Sequence, residues 1–587
     1  MKDRRAARVG KQSFLHGALI LMVAIALVKI IGALFKIPLA WILTPVGNGY
    51  FGNAYALYFP IFSLATAGFP IAISRLVSEN SARGRYRDIR QIHTVSIKIF
   101  LVLGVAAFSV MFFGAKPYVQ YAVSNNPGEA LPAIYALAPA IFFNSLMAIY
   151  RGYYEGLRNM YPTAISEIVE ALSKLVFGLT AAALIIQSGM REYAASGTVY
   201  GVKRATAEFA KLATLPYAAA GAIFGVTIGS VIGFLFLFIY HKKNSDGITA
   251  EMLQSSPRPI AMKKTTSRLI GTAIPIALGS LAVNLSTFID STFLQKRIND
   301  IMGSHSNVIL NMYKDVIPAS VIQMNNVPTF LFGCFSNAST LFMLVPAITQ
   351  AFGVSALPNV TVAWTGGDPK KIKKSIESVL RIVAMITIPA GLGLSVLATP
   401  IAGLLYGGNN APSVIGKILV ILGLGSIFAA MSTPINSMLQ AVGRVDLPVK
   451  LLLFGLAIKL VLNYTLVGIP EINVMGAGTG TLVCYLFIFV FSLYFLCRET
   501  NIIPNFIAIF VKPLLASILC VGAAFFVQKV IAAVASGKLA TCFAIVVAGT
   551  VYVVCMLWFK ALHKSDILML PKGQKIAKIL EKHNWIR

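Results

Sequence analysis

Charged residues are scarce in this sequence of 587 residues. Asp, Glu, Lys and Arg together make up 12% of it, about half of the share that soluble domains carry. Hydrophobic residues make up 57%, and they occur in runs as long as the roughly 20 apolar residues that cross a bilayer. This composition excludes a water-soluble enzyme and predicts an all-α polytopic membrane protein.

Signals of catalysis and metal binding are also missing. The six cysteines show no CxxC spacing, which excludes a zinc site and a disulfide framework. No HExxH or Walker A motif is present, and the glycines between Gly476 and Gly480 open a membrane helix, where packing explains them. The outside loops 188–215 and 297–326 are too short for a soluble catalytic domain. An integral glycosyltransferase or ligase would need an acidic or histidine-bearing catalytic loop on the outside, and we identify none in the sequence. We therefore expect no enzyme, no cofactor and no metal site.

Acidic residues are scarcer than basic ones, 21 against 50, and the formal net charge is +29. The basic residues form short clusters between apolar runs rather than one basic face, which argues against nucleic acid as a partner. Such clusters are typical of cytoplasmic loops, and they favour anionic membrane lipids or an anionic substrate. Placing both termini in the cytoplasm puts most of the clusters on the inside. We therefore predict a multi-pass protein with both termini cytoplasmic.

The apolar runs predict about fourteen transmembrane helices. They cover residues 14–43, 50–79, 92–115, 130–150, 162–187, 216–240, 268–296, 327–362, 376–399, 412–440, 448–468, 475–497, 506–533 and 537–562. The first run is too long for a signal-peptide core and is expected to remain as the first span. Several runs contain proline, so we expect tilted, kinked or broken helices.

An internal repeat divides the predicted helices. Lys98 and Arg381, like Pro117 and Pro400, are separated by the same 283 positions. Because both copies start on the cytoplasmic side, the repeat predicts two parallel bundles of six helices. The predicted parts are an N-lobe at 1–240, a cytoplasmic linker at 241–267, a C-lobe at 268–498, two further helices at 499–562 and a tail at 563–587. The tail is basic and amphipathic, suited to the anionic inner leaflet, although a simple solvated tail explains the same pattern.

Ionisable residues within a span are costly and indicate a substrate or ion path. Lys29 lies near the middle of the first span, and Lys36 lies on the same face two turns later. Lys174 is central in the fifth span, with Glu170 one turn before it; the two could also neutralise each other as an i,i+4 pair. Arg75 lies near a helix end, where snorkelling explains it equally well.

A second set of polar residues falls in the second half of the chain. Asp290 lies in the outer half of the seventh span, and Lys459 is central in the eleventh. Asn463 follows Lys459 by one helical turn. These positions suggest either a coupling site or an internal ion pair between Asp290 and Lys459.

Several motifs resemble a known family. The segment GALFKIPLA beginning at Gly32 and the segment TAGFPIAISRLVSE beginning at Thr66 resemble the polysaccharide-transporter family of stage V sporulation protein B. In the second half, ALP at Ala356, AW at Ala363 and PIAGLLYG at Pro400 agree with it. The family belongs to the superfamily of multidrug and toxin extruders (MATE) and lipid II flippases.

The resemblance implies a fold and a cargo. It implies two six-helix lobes in a MATE-like arrangement around a cavity that opens alternately to each side, with the last two helices forming a groove for a lipid tail. The implied cargo is a polyprenyl-pyrophosphate-linked saccharide, with lipid II, the peptidoglycan precursor, as the leading candidate. The implied location is the bacterial plasma membrane, and we expect a monomer. A multidrug or organic-cation antiporter is the alternative, although it would favour a carboxylate-rich cavity.

The resemblance also implies roles for single residues. Lys29, three positions before Gly32, matches a basic residue of the lipid II flippases, while their second first-helix arginine falls at Phe35, next to Lys36. Their eighth-helix arginine has no counterpart here, and Arg75 is the candidate that compensates for it.

In sodium-coupled members, an acid in the seventh helix and polar ligands in the eleventh and twelfth correspond to Asp290, Asn463 and Thr479. The ammonium of Lys459 could replace the cation at this place, so sodium or a proton as the coupling ion stays open. A second interpretation places Lys459 in the central cavity, beside Lys29, where it would contact pyrophosphate.

Overall fold

The described part of the chain is almost entirely helical. The computed structural model describes residues 14–123, 126–244, 246–407, 410–534 and 536–559. The predicted amphipathic tail at 563–587 lies outside these residues. By packing, the chain divides into two compact units; the first comprises Met1–Asn299 and Ile317–Gly333, and the second comprises Asp300–Val316 and Cys334–Arg587. The lobe boundaries inferred from the repeat stay a prediction.

The helices and strands follow one another along the chain. The first half contains α1 (Phe14–Phe62), the π-helix π1 (Ser63–Ala67), α2 (Phe69–Ala82), α3 (Tyr86–Ala122), α4 (Pro127–Gly156), α5 (Tyr161–Ser196), β1 (Thr198–Val199), β2 (Val202–Lys203), α6 (Ala207–Lys243), α7 (Ala250–Ser255) and α8 (Met262–Ser304). The second half contains α9 (Ser306–Met312), α10 (Ala319–Gln323), α11 (Val327–Phe342), α12 (Leu344–Thr365), α13 (Pro369–Val396), α14 (Ala398–Tyr406), α15 (Pro412–Ala441), α16 (Asp446–Leu466), α17 (Val474–Thr500), π2 (Ile507–Val511), α18 (Lys512–Ala532) and α19 (Gly537–Trp558).

The chain reverses direction inside α1. Thr44 has a φ of 54°, which is uncommon for a β-branched residue, and Pro45 follows it. Residues 35 and 51 would lie roughly 24 Å apart along a straight helix, yet the rings of Phe35 and Phe51 have centroids only 6.2 Å apart. The first two predicted spans therefore form a helical hairpin that turns at Thr44.

This hairpin accounts for the number of membrane crossings. In the described residues, 13 helical segments are long and apolar enough to cross a membrane, and the first of them, Val23–Ala82, is 60 residues long. A continuous helix of that length would measure roughly 90 Å, three times the hydrocarbon thickness. Counted as two crossings, it brings the total close to the predicted number. The all-α polytopic fold is thereby confirmed.

Glycines allow α5 and α6 to pack closely. Gly221, Gly225 and Gly229 recur every four residues along one face of α6. A side chain at Gly225 would collide with the backbone of Gly178 in α5, and one at Gly229 would lie 2.8 Å from the carbonyl oxygen of Glu170. Small residues at this spacing let membrane helices approach each other closely. The backbone of α5, and with it Lys174, is therefore fixed against α6.

The second unit has its own apolar core. Buried residues of α13, α15 and α17, such as Leu380, Met438 and Leu496, form a continuous cluster. The last two helices, α18 and α19, pack against each other as a pair. They attach to this core through the hydroxyl of Tyr552, which donates a 2.7 Å hydrogen bond to the carbonyl oxygen of Met385.

The close packing at Gly225 leads to a stability prediction. We expect Gly225→Ala to lower the free energy of unfolding by about 1–3 kcal/mol, because the added methyl group separates α5 from α6. The thermal unfolding midpoint of the detergent-solubilised protein measures this change.

Gly114→Ala in α3 is the matched control, because a side chain there meets nothing within 4 Å and alanine favours the helix. Equal midpoints for the two variants would contradict the proposed role of Gly225.

Candidate functional site

Two lysines of the first unit converge on three aromatic rings. The Nζ atom of Lys36 lies 4.1 Å from the ring centroid of Phe51 and 5.9 Å from that of Tyr55. The Nζ atom of Lys174 lies 4.9 Å from the centroid of Phe35 and 5.7 Å from that of Tyr55. Each ammonium group thus lies within cation–π distance of two rings. Because both approach Tyr55, the two positive charges share one site, which we call the aromatic–lysine site.

The hairpin and the α5–α6 packing together produce this site. Phe35 and Lys36 come from the first arm of the hairpin, and Phe51 and Tyr55 come from the second. Lys174 reaches the same rings from α5, which contacts α1 where Gly178 lies under the ring of Phe35. Residues from three helical segments therefore surround a pair of positive charges inside the membrane-spanning region.

The carboxylate of Glu170 does not neutralise this pair. Its Oε2 atom accepts a hydrogen bond of 2.9 Å from Arg151 of α4. The Nε atom of Arg151 also donates to the hydroxyl of Ser166 at 3.0 Å. Glu170 therefore pairs with a neighbouring helix, and the i,i+4 pair with Lys174 is not the ion pair that the structure contains. The charge of Lys174 stays available to an anionic ligand.

Arg151 was not expected at the site from the sequence, and neither were the aromatic rings. Arg151 lies near the end of α4, and a basic residue at the end of a span usually indicates only which side of the membrane the adjoining loop occupies. Its side chain is about four-fifths buried, which distinguishes it from an exposed loop residue. In the sequence, Phe35, Phe51 and Tyr55 look like any other aromatic residues of an apolar span. The structure shows that the hairpin brings their rings close together.

Two predicted cavity residues lie away from the rings. Lys29 is exposed on α1, roughly 10 Å along the helix from Lys36. Arg75 is exposed on α2, about 20 residues beyond Tyr55. It lies one turn from Glu79, whose two carboxylate oxygens accept hydrogen bonds of 3.0 Å from Arg268. Arg75 is therefore close to an ion pair at a helix end, and its cavity role stays a prediction.

Asp290 is buried in α8 beside a polar network. The next residue, Ser291, donates a 2.8 Å hydrogen bond to Asn53 and shares another of 2.8 Å with the hydroxyl of Tyr118. Gln295, one turn later, also bonds to Asn53. This network fixes the face of α8 on which these residues lie. It lies entirely within the first unit.

Lys459 and Asn463 are buried in α16 of the second unit, with exposed fractions of 1% and 0%. The amide oxygen of Asn463 lies where a side chain at Gly480 of α17 would be. Thr479 donates a 3.1 Å hydrogen bond to the carbonyl oxygen of Met475. The structure thus brings Lys459, Asn463 and the glycine after Thr479 to one helix interface. The ion pair between Lys459 and Asp290 stays a prediction.

Two family models match this chain, and their matches overlap. The family described as "Polysaccharide biosynthesis protein" matches residues 14–359, and the family described as "MatE" matches residues 319–465. The lipid II flippase MurJ of Bacillus subtilis is 25% identical over 480 residues, which are 80% of this chain and 80% of MurJ. Stage V sporulation protein B of the same organism is 23% identical over 568 residues, which are 96% of this chain and 98% of that protein.

Solved structures agree on the fold. A structure titled "Lipid II flippase MurJ, inward closed conformation" covers 93% of this chain and 99% of its own, with a TM-score of 0.63 and 14% identity. An inward-facing multidrug resistance MATE family transporter covers 82% of this chain and 99% of its own, with a TM-score of 0.59 and 15% identity. The predicted MATE-like arrangement and family resemblance are confirmed. This chain is a multi-pass membrane protein with the fold of these transporters, and it belongs to the polysaccharide biosynthesis protein family.

Proposed function

We propose that this chain is a flippase that moves an undecaprenyl-pyrophosphate-linked saccharide from the inner to the outer leaflet by alternating access. Lipid II is the cargo that we propose within this class. The family and the similarity to MurJ and to stage V sporulation protein B support a lipid-linked saccharide. The proposed location is the bacterial plasma membrane, with both termini in the cytoplasm.

The aromatic–lysine site is the observation that carries this proposal. An isolated lysine at the centre of a helix costs about 2.5–3.5 kcal/mol to place in a bilayer, and contact with a ring returns about 0.5–2 kcal/mol. Placing two such lysines around Tyr55 therefore costs more free energy than the ring contacts return, and the fold by itself does not explain them. The pyrophosphate of such a cargo is esterified at both ends and carries two negative charges, so it would compensate both lysines at once.

The chemistry of transport follows from this arrangement. The ammonium groups of Lys36 and Lys174 would replace water around the pyrophosphate by charge-assisted hydrogen bonds. The saccharide would stay in the polar interior while the polyprenyl tail stays in lipid. Because the ammonium groups hold the anion through charge rather than through a covalent bond, the cargo can leave when the opposite side opens.

An organic-cation antiporter is the second candidate, because a MatE match covers part of the second half. Such a cargo would need a carboxylate that is free to bind it. Near the aromatic–lysine site, the carboxylate of Glu170 is occupied by Arg151. The charged groups that approach the rings of the aromatic–lysine site are the two lysines, and they favour an anionic cargo.

The two site lysines should be essential for flipping. We expect Lys36→Gln and Lys174→Gln each to lower the initial rate about tenfold or more, because each variant loses a charged hydrogen bond worth about 1.5–3 kcal/mol. The measurement is the accessibility of the labelled lipid II head group in proteoliposomes. Arginine at either position should retain part of the rate.

Lys116→Gln is the matched control, because Lys116 is an exposed lysine of α3. Normal flipping by the glutamine variants would refute the pyrophosphate assignment. Faster export of an organic cation by these variants would support the antiporter instead.

Lys29 tests whether the first span carries a second contact for the cargo. We expect Lys29→Ala to abolish flipping while the thermal midpoint stays unchanged, because this side chain is exposed. Lys29→Arg should retain some activity. Cells that make a normal wall with Lys29→Ala as their only flippase would show that Lys29 does not contact the cargo.

Lys459 tests the coupling ion. If its ammonium replaces a bound cation, wild-type flipping should be the same in sodium and in potassium, and Lys459→Ala should make flipping depend on sodium. Lys450→Ala, on the same helix, is the control, because Lys450 is exposed and pairs with Asp446 at 2.8 Å. Loss of wild-type activity on sodium removal would refute this role. Loss of Lys459→Ala activity in both salts would favour direct contact of Lys459 with the cargo.

A further inference from the structure

One face of α5 carries a shallow, open groove that none of the functions above uses. The groove has a volume of about 440 Å³ and is lined by Leu184, Ile185, Gln187, Ser188 and Arg191. Four of these residues recur at helical spacing, so they form one face of a single helix. The leucine is 62% exposed, and the arginine is also exposed. This face is therefore exposed in the structure.

The groove changes from apolar to polar along its length. Leu184 and Ile185 lie toward the middle of α5, whereas Arg191 lies five residues before its end. At 36 residues, α5 is roughly 54 Å long and exceeds the hydrocarbon thickness of about 30 Å. The last turns of α5 therefore reach the head-group region. This order, apolar first and cationic at the interface, matches the order of groups in a phospholipid.

The polar end of the groove contains hydrogen-bond donors and an acceptor. The hydroxyl of Ser188 donates a 2.9 Å hydrogen bond to the carbonyl oxygen of Ile185, so its oxygen can accept one from a ligand hydroxyl. The amide of Gln187 and the guanidinium of Arg191 can donate to a phosphate. Glycerol hydroxyls and a phosphate would therefore both find partners here.

The carboxylate of Glu192, the next residue in the chain, has partners other than Arg191. Glu192 turns to the β1–β2 hairpin, where its Oε1 atom accepts hydrogen bonds of 3.0 Å from Thr198 and from the backbone of Gly201. This contact closes the hairpin and leaves the guanidinium without that counter-charge. An anion from the membrane can therefore occupy its place.

The hairpin beside the groove has the composition of a membrane interface. The rings of Tyr200 and Tyr217 meet edge to face, with centroids 4.8 Å apart, and both side chains are about half exposed. Tyrosines at this position are typical of the head-group level. Partial burial raises the pKa of Tyr200 above its usual value. Lys203 is exposed at the end of β2 and adds a further positive charge.

We propose that the groove on α5 binds one anionic phospholipid, with an acyl chain along Leu184 and Ile185 and the phosphate at Arg191. Phosphatidylglycerol is the probe that fits the donors and the acceptor. The lining residues all belong to one helix and include no residue of the aromatic–lysine site, so this proposal does not depend on the identity of the transported cargo.

The test uses the purified full-length protein in detergent and native mass spectrometry with added phosphatidylglycerol. We expect the wild type to retain one tightly bound lipid and to bind phosphatidylcholine of the same chain length about tenfold more weakly, because the latter carries no net charge. Arg191→Gln should remove this preference, and Arg191→Lys should restore part of it. Leu184→Trp should fill the apolar end and weaken both lipids.

Lys529→Gln is the control, because Lys529 is an exposed basic residue near the end of α18 and should not change the preference. Soluble glycerol 3-phosphate should not compete with the lipid; equal competition would indicate a phosphate site rather than a lipid site and would overturn the proposal. An unchanged preference for phosphatidylglycerol in Arg191→Gln would overturn it as well. The midpoint of thermal unfolding without lipid confirms that each variant is folded.

Discussion

The reversal of the chain at Thr44 is the constraint on which the aromatic–lysine site depends. Without it, Phe35 and Phe51 would lie on one long helix, more than four turns apart. Because the chain turns, the two arms present their aromatic residues to each other and enclose the ammonium of Lys36. A single unusual backbone conformation before a proline thus divides an apolar run into two crossings and brings Phe35 and Lys36 close to Phe51.

The site also illustrates how a membrane protein keeps charges inside the bilayer. Ring faces partly stabilise the ammonium groups of Lys36 and Lys174 without neutralising them. The neighbouring pair of Arg151 and Glu170 removes one carboxylate that could have done so. The result is a positively charged site beside aromatic rings; in the proposed function, an anion would bind there without first breaking an ion pair between Glu170 and Lys174. Such pre-organisation lowers the cost of binding.

Close packing and hydrogen bonds hold the helices that carry the aromatic–lysine site. The glycines of α6 fix the backbone of α5, and the hydrogen bonds of Asn53 to Ser291 and Gln295 tie the second arm of the hairpin to α8. Hydrogen-bonded polar side chains hold membrane helices together where the hydrophobic effect contributes little. The helix that carries Lys174 is therefore held by packing against α6, and the helix that carries Tyr55 is held by hydrogen bonds to α8.

The sequence by itself determined the fold class and the approximate number of spans, because long apolar runs have few structural solutions in a bilayer. It also identified Lys36, Lys174 and Glu170 as unusual, because charges within such runs are costly. It did not determine what these charges contact. The partner of Glu170 is Arg151 on another helix, and no local spacing encodes that choice over Lys174.

The aromatic residues of the site could not be predicted from the sequence either. Aromatic residues are common in membrane spans, so Phe51 and Tyr55 carry no signal until a turn places them beside Lys36. Only the tertiary structure decided this, because ring contacts depend on the angle and register between helices rather than on the order of residues along one of them.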